Sequence, residues 1–396
     1  MTTKYNSPYH GTDSTVGKQM RDFVWNKLAI EYIKKDMVFS NMSSAEMLPK
    51  NMGKTLKKYK YLPILDSNNT YPDGLDANGA KVTGNLYGSS RDMDTITNAL
   101  PSIGEVAGRV HKVGRVREMI ESDIFKYGMF MEYTAESTEF DTESNLRERD
   151  RRELAYAANL VYEDLLQLDL INQAGHTIYG GLATTTAEMT GNEGATASVI
   201  TYGTLKRADE ILFDADCPED TAIIEGSSYT DTRVIDRARY MITSKAMVNY
   251  FKSLTDDFAQ QAWIPRQSYA AAGNLIPNEE GTIGAFRVVS NKQMMTAKGA
   301  AVTTNDGYRN DGTNYTIHHA LIIGSGAFST LGFRLNTISG SVYAGNMLFL
   351  DTPPTQTHAN PYGDVGVLSV QWFYGTLVEH PEWIVCLRSL VPEITG

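Results

Sequence analysis

The chain has 396 residues, 42% of them hydrophobic and 21% charged, a globular composition that can bury a sizeable core and predicts roughly two or three domains. Its 47 acidic residues outnumber its 36 basic ones, and the net charge of −11 disfavours tight nucleic-acid binding through phosphate neutralisation. With only Cys217 and Cys386, a disulfide framework or four-thiolate metal site is excluded, and no stretch approaches the about 18 apolar residues that cross a bilayer.

The N-terminal part is predicted to be an arm followed by a helix. Residues 1–18 are polar and rich in Gly, Ser and Thr, and a helical pattern then runs to Phe39. Phe23 and Trp25 project from different sides of this helix. That arrangement suits a helix clamped between neighbours better than a lone surface helix, so both are candidate anchors of the arm.

An extended segment follows over residues 55–115. The run TLKKYKYLPILD has strand character, and the dipeptides Asp73-Gly74 and Asn78-Gly79 are strong turn signals. A second extended run, IGEVAGRVHKVGRVREMI, returns toward the start. Together they predict a long, exposed, twisted β-hairpin. Its apolar content is thin, so it would be marginally stable in water unless it lay against another surface.

A long amphipathic helix is predicted from Glu143 to Gln173, because no Gly or Pro interrupts the chain there. At 1.5 Å per residue it would span about 45 Å. Helical spacing places on one stripe Leu154, Ala157, Ala158, Val161, Leu165, Leu168 and Ile171. The basic run that includes Arg147 and Arg149 is either a solvated first turn or a contact to another subunit.

The rest of the chain alternates helices and strands. YGTLKRADEILFDADCP reads as a helix, and RYMITSKAMVNYFKSL as a strand and then a helix. GTIGAFRVVSN reads as one strand, HHALIIGSGAF as a strand and a turn, and GVLSVQWFYGTLVEHPEWIVCLRSL closes the chain. This mixture predicts an α+β fold.

No catalytic, cofactor or metal site is predicted. Gly53-Lys54-Thr55 matches half of a phosphate-binding loop, but the Gly required five residues earlier is Leu48. No two histidines have metal-ligand spacing, and adjacent His318 and His319 on a strand point to opposite faces. An acidic group fits the start of a helix better than an acid/base pair: Glu136, Glu139, Asp141 and Glu143.

Three segments, in this order and around the long helix, resemble the major capsid proteins of tailed bacteriophages, in the N-four-like podophage branch. They are LPKNMGKTLKKYKYLPILD at 48–66, GTIGAFRVVSN at 281–291 and NPYGDVGVLSVQWFYGTLVEHPEW at 360–383. The resemblance spans about residues 20–396 and implies the Hong Kong 97 fold. That fold has an N-terminal arm, an extended E-loop, a peripheral P-domain on a spine helix, and an axial A-domain.

The boundaries that the resemblance implies follow the chain. They are 1–55 for the arm, 56–118 for the E-loop, 119–185 for the P-domain with its spine helix at about 141–174, 186–279 for the first part of the A-domain, 280–300 for a P-domain strand, 301–358 for the second part of the A-domain, and 359–396 for C-terminal strands that return to the P- and A-domains.

The resemblance implies a structural protein rather than an enzyme, with no cofactor. It is expected to assemble with itself, as hexamers and pentamers, into an icosahedral head around double-stranded DNA that it contacts weakly. Portal, scaffolding and decoration proteins are the other expected partners, and no membrane is expected to be involved. Assembly is expected in the cytoplasm of the bacterial host, after which the protein resides in the virion. The expected interface residues are Phe23, Trp25, Lys57, Lys58, Lys60, Asp73, Gly74, Asn78, Gly79, Arg147 and Arg149, with the three lysines meeting acids on a neighbour.

Two alternatives remain open at this point. An encapsulin-like shell would share the fold but hold enzyme cargo instead of a genome. A soluble α/β enzyme would assemble its site from dispersed residues such as His176, Asp351 and His358.

Overall fold

A computed structural model gives the structure of much of the chain. It describes residues 38–49, 51, 53–64, 68–76, 78–84, 103, 105, 108–140, 146–191, 197–219, 221–223, 233–235, 239–266, 278–302, 307–333, 341–344, 347–358 and 360–394. The arm residues Phe23 and Trp25 and most of the helix predicted before Phe39 lie outside these ranges.

Four α-helices and three short 3-10 helices occur in the described residues. The α-helices are α1 (Ala135–Phe140), α2 (Leu146–Asn172), α3 (Tyr202–Asp214) and α4 (Lys245–Phe251). The 3-10 helices are Ser40–Met42, Thr186–Glu188 and Pro381–Trp383.

Strands make up most of the remaining structure. They are β1 (Ser44–Met47), β2 (Thr55–Tyr61), β3 (Gly74–Leu75), β4 (Lys81–Val82), β5 (Arg117–Asp123), β6 (Phe125–Thr134), β7 (His176–Tyr179), β8 (Thr221–Ile223), β9 (Arg233–Ile235), β10 (Arg239–Thr243), β11 (Trp263–Pro265), β12 (Glu279–Ile283), β13 (Phe286–Ser290), β14 (Thr296–Ala301), β15 (Asn314–Ile323), β16 (Phe328–Gly332), β17 (Ser341–Ala344), β18 (Met347–Thr352), β19 (Val365–Val378) and β20 (Ile384–Leu390). The α+β class is thereby confirmed.

The long helix is present as α2, and its buried face differs from the predicted stripe. Leu154, Ala158 and Ile171 are buried as expected, but Leu168 is 44% exposed, and the helix also buries Leu166 and Leu170. Two polar residues, Glu163 and Gln167, are also buried on this helix. The periodicity of apolar residues misplaced the stripe because polar side chains with internal hydrogen-bond partners occupy part of the inner face.

Local capping explains where the shorter helices begin. The Thr201 side chain accepts a hydrogen bond from the backbone N–H of Thr204 at the start of α3. Ser244 caps α4 in the same way, through the backbone N–H of Met247. These hydroxyls satisfy N–H groups that have no partner inside the helix.

Two sheets form the body of the protein. A six-stranded sheet has the order β1-β16-β19-β18-β17, and β6 also pairs with β19. An eight-stranded sheet has the order β11-β12-β13-β10-β15-β20-β7, and β14 also pairs with β15. In the first sheet, β19 pairs with β6 over Val365–Tyr374, with β18 over Val367–Trp372 and with β16 over Gly375–Val378.

The eight-stranded sheet is covered on both faces. Leu321 and Ile323 of β15 point into a core shared with α2 and β19, whereas Ala320 and Ile322 point into a core with α3 and α4. This alternation is the two-residue period of a strand. Because both faces are covered, nearly every residue of β15 is buried.

Two adjacent chain segments cross from one sheet to the other. β15 leads into β16 through residues 324–327, and β19 leads into β20 through the 3-10 helix Pro381–Trp383. The crossings are tied by backbone hydrogen bonds from Gly324 to Trp383 (3.0 Å) and from Glu379 and His380 to Ala327 (2.9 and 3.1 Å). The two sheets are therefore joined by a double backbone connection, which we call the paired crossing.

Strand pairing departs from the sequence prediction in one motif. GTIGAFRVVSN forms two strands, because Gly284, with φ of 56°, turns the chain between β12 and β13. β12, β13 and β14 pair within the eight-stranded sheet, and β17 and β18 pair in the sheet of β19. A strand's partners lie far away in sequence, so its local pattern does not identify them.

Candidate assembly surface

The predicted hairpin is present as a two-stranded antiparallel ribbon. β2 and β5 pair from Thr55 opposite Asp123 to Tyr61 opposite Arg117. Residues of β2 alternate between exposed and half-buried, so the ribbon has an outer face turned away from the body and an inner face turned toward it. Within the described residues its backbone pairs with no third strand, although the Ser122 hydroxyl of β5 donates to the Thr376 carbonyl of β19 at 2.7 Å. Such a ribbon is only marginally stable by itself.

The inner face is attached to the body by two lysines. Lys58 Nζ lies 2.9 Å from Glu379 Oε1 and also forms an ion pair with Glu46, and Lys60 Nζ lies 2.7 Å from Glu382 Oε1. Burial alone would lower the pKa of Lys58, but its hydrogen bonds to the two carboxylates outweigh that effect and raise the pKa. The lysines expected to meet a neighbour's acids thus have acidic partners within their own chain.

A small apolar cluster lies under the base of the ribbon. Leu48, Ile124, Leu331 and Leu377 are buried together. Partly buried side chains pack around them from both the ribbon and the body: Leu56, Ile120, Phe333 and Phe373. The cluster is small beside the two main cores, so the ribbon depends on both these contacts and the ion pairs for its orientation.

The outer face carries large side chains in contact with solvent. Tyr59, Tyr61 and Met119 are 54%, 58% and 50% exposed. The Arg117 guanidinium lies 4.4 Å from the centre of the Tyr59 ring, and that of Arg115 lies 5.7 Å from the Tyr61 ring. Lys57, also on this face, forms an exposed ion pair with Glu121 at 2.8 Å.

Both predicted turn dipeptides lie near the tip, around the small hairpin of β3 and β4. Gly74 must be glycine, because a Cβ there would lie 2.2 Å from the backbone oxygen of Gly84. Gly79 has φ of 80°, and Asp76 Oδ1 accepts the backbone N–H of Asn78 at 2.8 Å. Asp73 pairs with Lys81 at 2.7 Å. These residues shape the turns around the small hairpin of β3 and β4.

The basic run at the start of α2 is partly tied to the body. Arg147 forms an ion pair with Asp351 at 2.6 Å, and its guanidinium lies 5.0 Å from the Tyr133 ring centre. Arg149 is half-buried two residues further along the helix. Arg147 therefore fixes the end of the helix on the six-stranded sheet.

Sequence reasoning missed Glu163. Its carboxylate is 4% exposed and accepts the backbone N–H groups of Phe39 at 3.0 Å and Ser40 at 2.9 Å. Phe39 itself is buried against α2 in the main core. Glu163 therefore fastens the start of the described chain to the long helix. The only sequence signal was an acidic residue between apolar positions of the helix.

The residues considered for an enzyme do not form one site. His176 begins β7 in the eight-stranded sheet, while Asp351 lies in the six-stranded sheet and binds Arg147. His318 and His319 are both buried on opposite faces of β15, and burial lowers the pKa of each to about 4. Among the described residues no group of three or more His, Cys, Asp or Glu is arranged to hold a metal ion.

No helix in the described parts of the chain has the length and apolar character needed to span a bilayer.

The chain is similar to capsid proteins in both sequence and structure. No family model matches it. It is 37% identical over 393 residues to the major capsid protein of Pseudomonas phage KPP21, covering 98% of this chain and 97% of that protein. The capsid of Ralstonia phage GP4 has a TM-score of 0.53 at 12% identity, with 97% and 98% of the two chains covered. The capsid structure of Cyanophage P-SCSP1u has a TM-score of 0.52 at 13% identity, with 92% and 91% covered. These two structures identify the fold.

Proposed function

Because the chain belongs to the major capsid proteins of bacteriophages and has their Hong Kong 97 fold, we propose that its copies close into an icosahedral head around double-stranded DNA, with the ribbon as the overlapping element. The observation that carries this proposal is a ribbon fixed at its base by Lys58 and Lys60 and exposed along its outer face. A lone subunit gains little from holding such a ribbon outward.

The energetic argument is that the ribbon becomes fully packed only in an assembly. Two strands bury too little apolar surface to offset the entropy of ordering them. Tyr59, Tyr61 and Met119 together offer apolar area that is worth about 25 cal/mol per Å² once covered. A neighbouring subunit supplies that cover at the same position in every repeat of the shell, so a modest energy per contact accumulates.

The remaining elements then correspond to the other domains of the Hong Kong 97 fold. The ribbon and its tip, residues 56–118, serve as the E-loop, and α2 with the sheet of β19 serves as the P-domain. The eight-stranded sheet with α3 and α4 serves as the A-domain, and residues 1–55 as the arm. Heterologous contacts between different faces of neighbouring copies close into rings, which here are hexamers and pentamers.

The further partners are the other proteins needed to build a phage head. We infer a portal and a scaffolding protein, with decoration proteins as a further class of partner. The net charge of −11 supports a weak, non-specific contact with the enclosed DNA, since a strongly basic wall would bind phosphate and slow its movement. Assembly then takes place in the cytoplasm of the bacterial host.

Electron microscopy of the purified chain, expressed alone and with neighbouring gene products, tests the proposal. The wild-type chain is expected to form closed shells or flat hexamers. A variant in which a short Gly-Ser turn replaces residues 55–123 removes the ribbon, keeps both sheets and is expected to remain monomeric. Shell formation by this shortened variant would contradict the role given to the ribbon.

The DNA content of heads purified from infected cells provides a separate test. Nuclease-protected DNA inside the particles is expected. Particles filled with protein cargo and free of DNA would instead point to a compartment shell.

A further inference from the structure

The outer face of the ribbon has the composition of a recognition surface. Its exposed members are Tyr59, Tyr61 and Met119, bordered by Arg115 and Arg117. Tyr, Met and Arg are enriched in protein interfaces, and Tyr and Arg are common among the residues that dominate binding energy. No other part of the described chain covers this exposed aromatic row.

This face is also well ordered before binding. Tyr59 and Met119 are directly opposite each other on the two strands. The guanidinium groups of Arg117 and Arg115 lie over the two tyrosine rings, which restricts both partners. Side chains that are already held in place lose less conformational entropy when a partner covers them.

A second surface has the complementary character. β6 and α1 carry two exposed aromatic residues, Phe130 and Phe140, which are 66% and 83% exposed. Three exposed carboxylates accompany them, and none has an ion-pair partner in the described residues: Glu132, Glu136 and Glu139. Phe130 and Glu132 share one face of β6, and Glu136 and Phe140 lie one helical turn apart on α1. We call these five residues the acidic ledge.

From this complementarity, and resting on the proposed function, we propose that the outer face of the ribbon of one copy docks on the acidic ledge of a second copy. Arg115 and Arg117 then meet the carboxylates of the ledge, while the tyrosines cover Phe130. The charge distribution supports the match. Over the whole ribbon and its connecting segment, residues 53–123, basic residues outnumber acidic ones by ten to nine, although the whole chain has a net charge of −11.

The geometry of the chain favours a second copy over the same copy. The ribbon joins β6 at Phe125, through the single residue Ile124. Glu132 lies seven residues further along β6, which is about 23 Å at 3.3 Å per residue, and α1 lies beyond it. The ribbon and the ledge thus begin at opposite ends of one strand. A contact between unlike surfaces of two copies is heterologous and can close into a ring.

Charge exchange provides the test. In the first variant, Arg115→Glu and Arg117→Glu are combined, and the yield of shells is expected to fall at least tenfold. In the second variant, Glu132→Arg and Glu136→Arg are combined, with the same expected loss. All four substitutions together are expected to restore the yield at least tenfold over either pair.

A matched control uses another acidic surface next to an exposed aromatic residue. Asp214 on α3 lies beside Phe213, which is 69% exposed. Asp214→Arg, combined with the two ribbon substitutions, is expected not to restore shells. Rescue by Asp214→Arg, or the absence of rescue by the ledge substitutions, would overturn the proposed docking site. Failure of the wild-type chain to form shells would count against the proposed function instead.

A disulfide test works without disturbing charge. The natural cysteines, Cys217 and Cys386, are buried, so they should contribute few disulfides of their own. Disulfides between introduced surface cysteines can therefore be detected clearly. Tyr59→Cys with Phe130→Cys, in assembled particles treated with a mild oxidant, is expected to give covalent chains of subunits in a denaturing gel. Each single substitution is the control and should give none. If the double variant assembles but gives only monomers, the docking assignment is wrong.

Discussion

Substitution of Glu163 is expected to release the N-terminal segment from α2. The two carboxylate oxygens accept hydrogen bonds from Phe39 and Ser40 at 3.0 and 2.9 Å. A hydrogen bond to a charged group contributes about 1.5–3 kcal/mol, and an unpaired buried N–H is costly. Glu163→Gln keeps one acceptor, so the free energy of local opening should fall by about 1.5–3 kcal/mol. Glu163→Ala keeps none, so we expect about 3–5 kcal/mol.

Amide hydrogen exchange measures this local opening. Since 1.4 kcal/mol corresponds to a tenfold change, Glu163→Gln should speed exchange of the Phe39 and Ser40 amides by about 10- to 100-fold. Glu163→Ala should speed it further. Glu153→Gln is the matched control, because Glu153 is an exposed acid on the same helix, and it should leave these two amides unchanged.

Two results would refute the reasoning. If neither Glu163 variant changes exchange at Phe39 and Ser40, the carboxylate does not hold the segment in place. If exchange rises equally in β10 and β15, the substitution has lowered global stability rather than opened a local contact.

Three further predictions concern acid stability, the ribbon base and the ribbon tip. His318 and His319 have folded pKa values of about 4, below the ordinary 6.5, so the unfolded chain binds more protons between these values. The free energy of unfolding should therefore fall as pH drops from 6.5 to 5, by up to about 1.4 kcal/mol per pH unit for each histidine. A free energy of unfolding that stays constant over this pH range in denaturant titrations would contradict the prediction. Lys58→Ala should lower stability by less than about 1 kcal/mol, because its ion pairs are about a third exposed, yet it should speed proteolysis of the ribbon; unchanged cleavage would exclude an anchoring role. Gly74→Ala should make only the tip more sensitive to protease, because the added Cβ would overlap the backbone oxygen of Gly84. A fall in the melting temperature of the whole subunit would show that the effect is not local.

The elements that the sequence predicted well are those determined by local chemistry. α2 was foreseen because nothing in its sequence interrupts a helix. α3 and α4 were also predicted as helices, and the structure shows a hydroxyl side chain capping each. The ribbon was foreseen from two strand-like runs around turn dipeptides. Leu168 was misplaced because the buried face of α2 includes Glu163, whose partners lie more than 120 residues away.

Long-range pairing was the part that the sequence could not supply. Lys58 was expected to meet an acid on a neighbour, and the sequence did not reveal its partner within the chain, Glu379, which lies 321 residues further along. The same limit applies to β12–β14, whose sheet is decided by pairing with β10 and β15. The resemblance to capsid proteins identified the family from short motifs, yet such motifs do not specify which lysine finds which carboxylate.

The paired crossing has a mechanical consequence. Two backbones that run side by side and are tied at Gly324, Ala327 and Trp383 flex easily out of their common plane and strongly oppose shear within it. When a shell is strained from inside, tension between the two sheets will therefore pass along these two covalent backbones as well as through the core that β15 shares with α2 and β19. A subunit of this kind can change its curvature without losing its core.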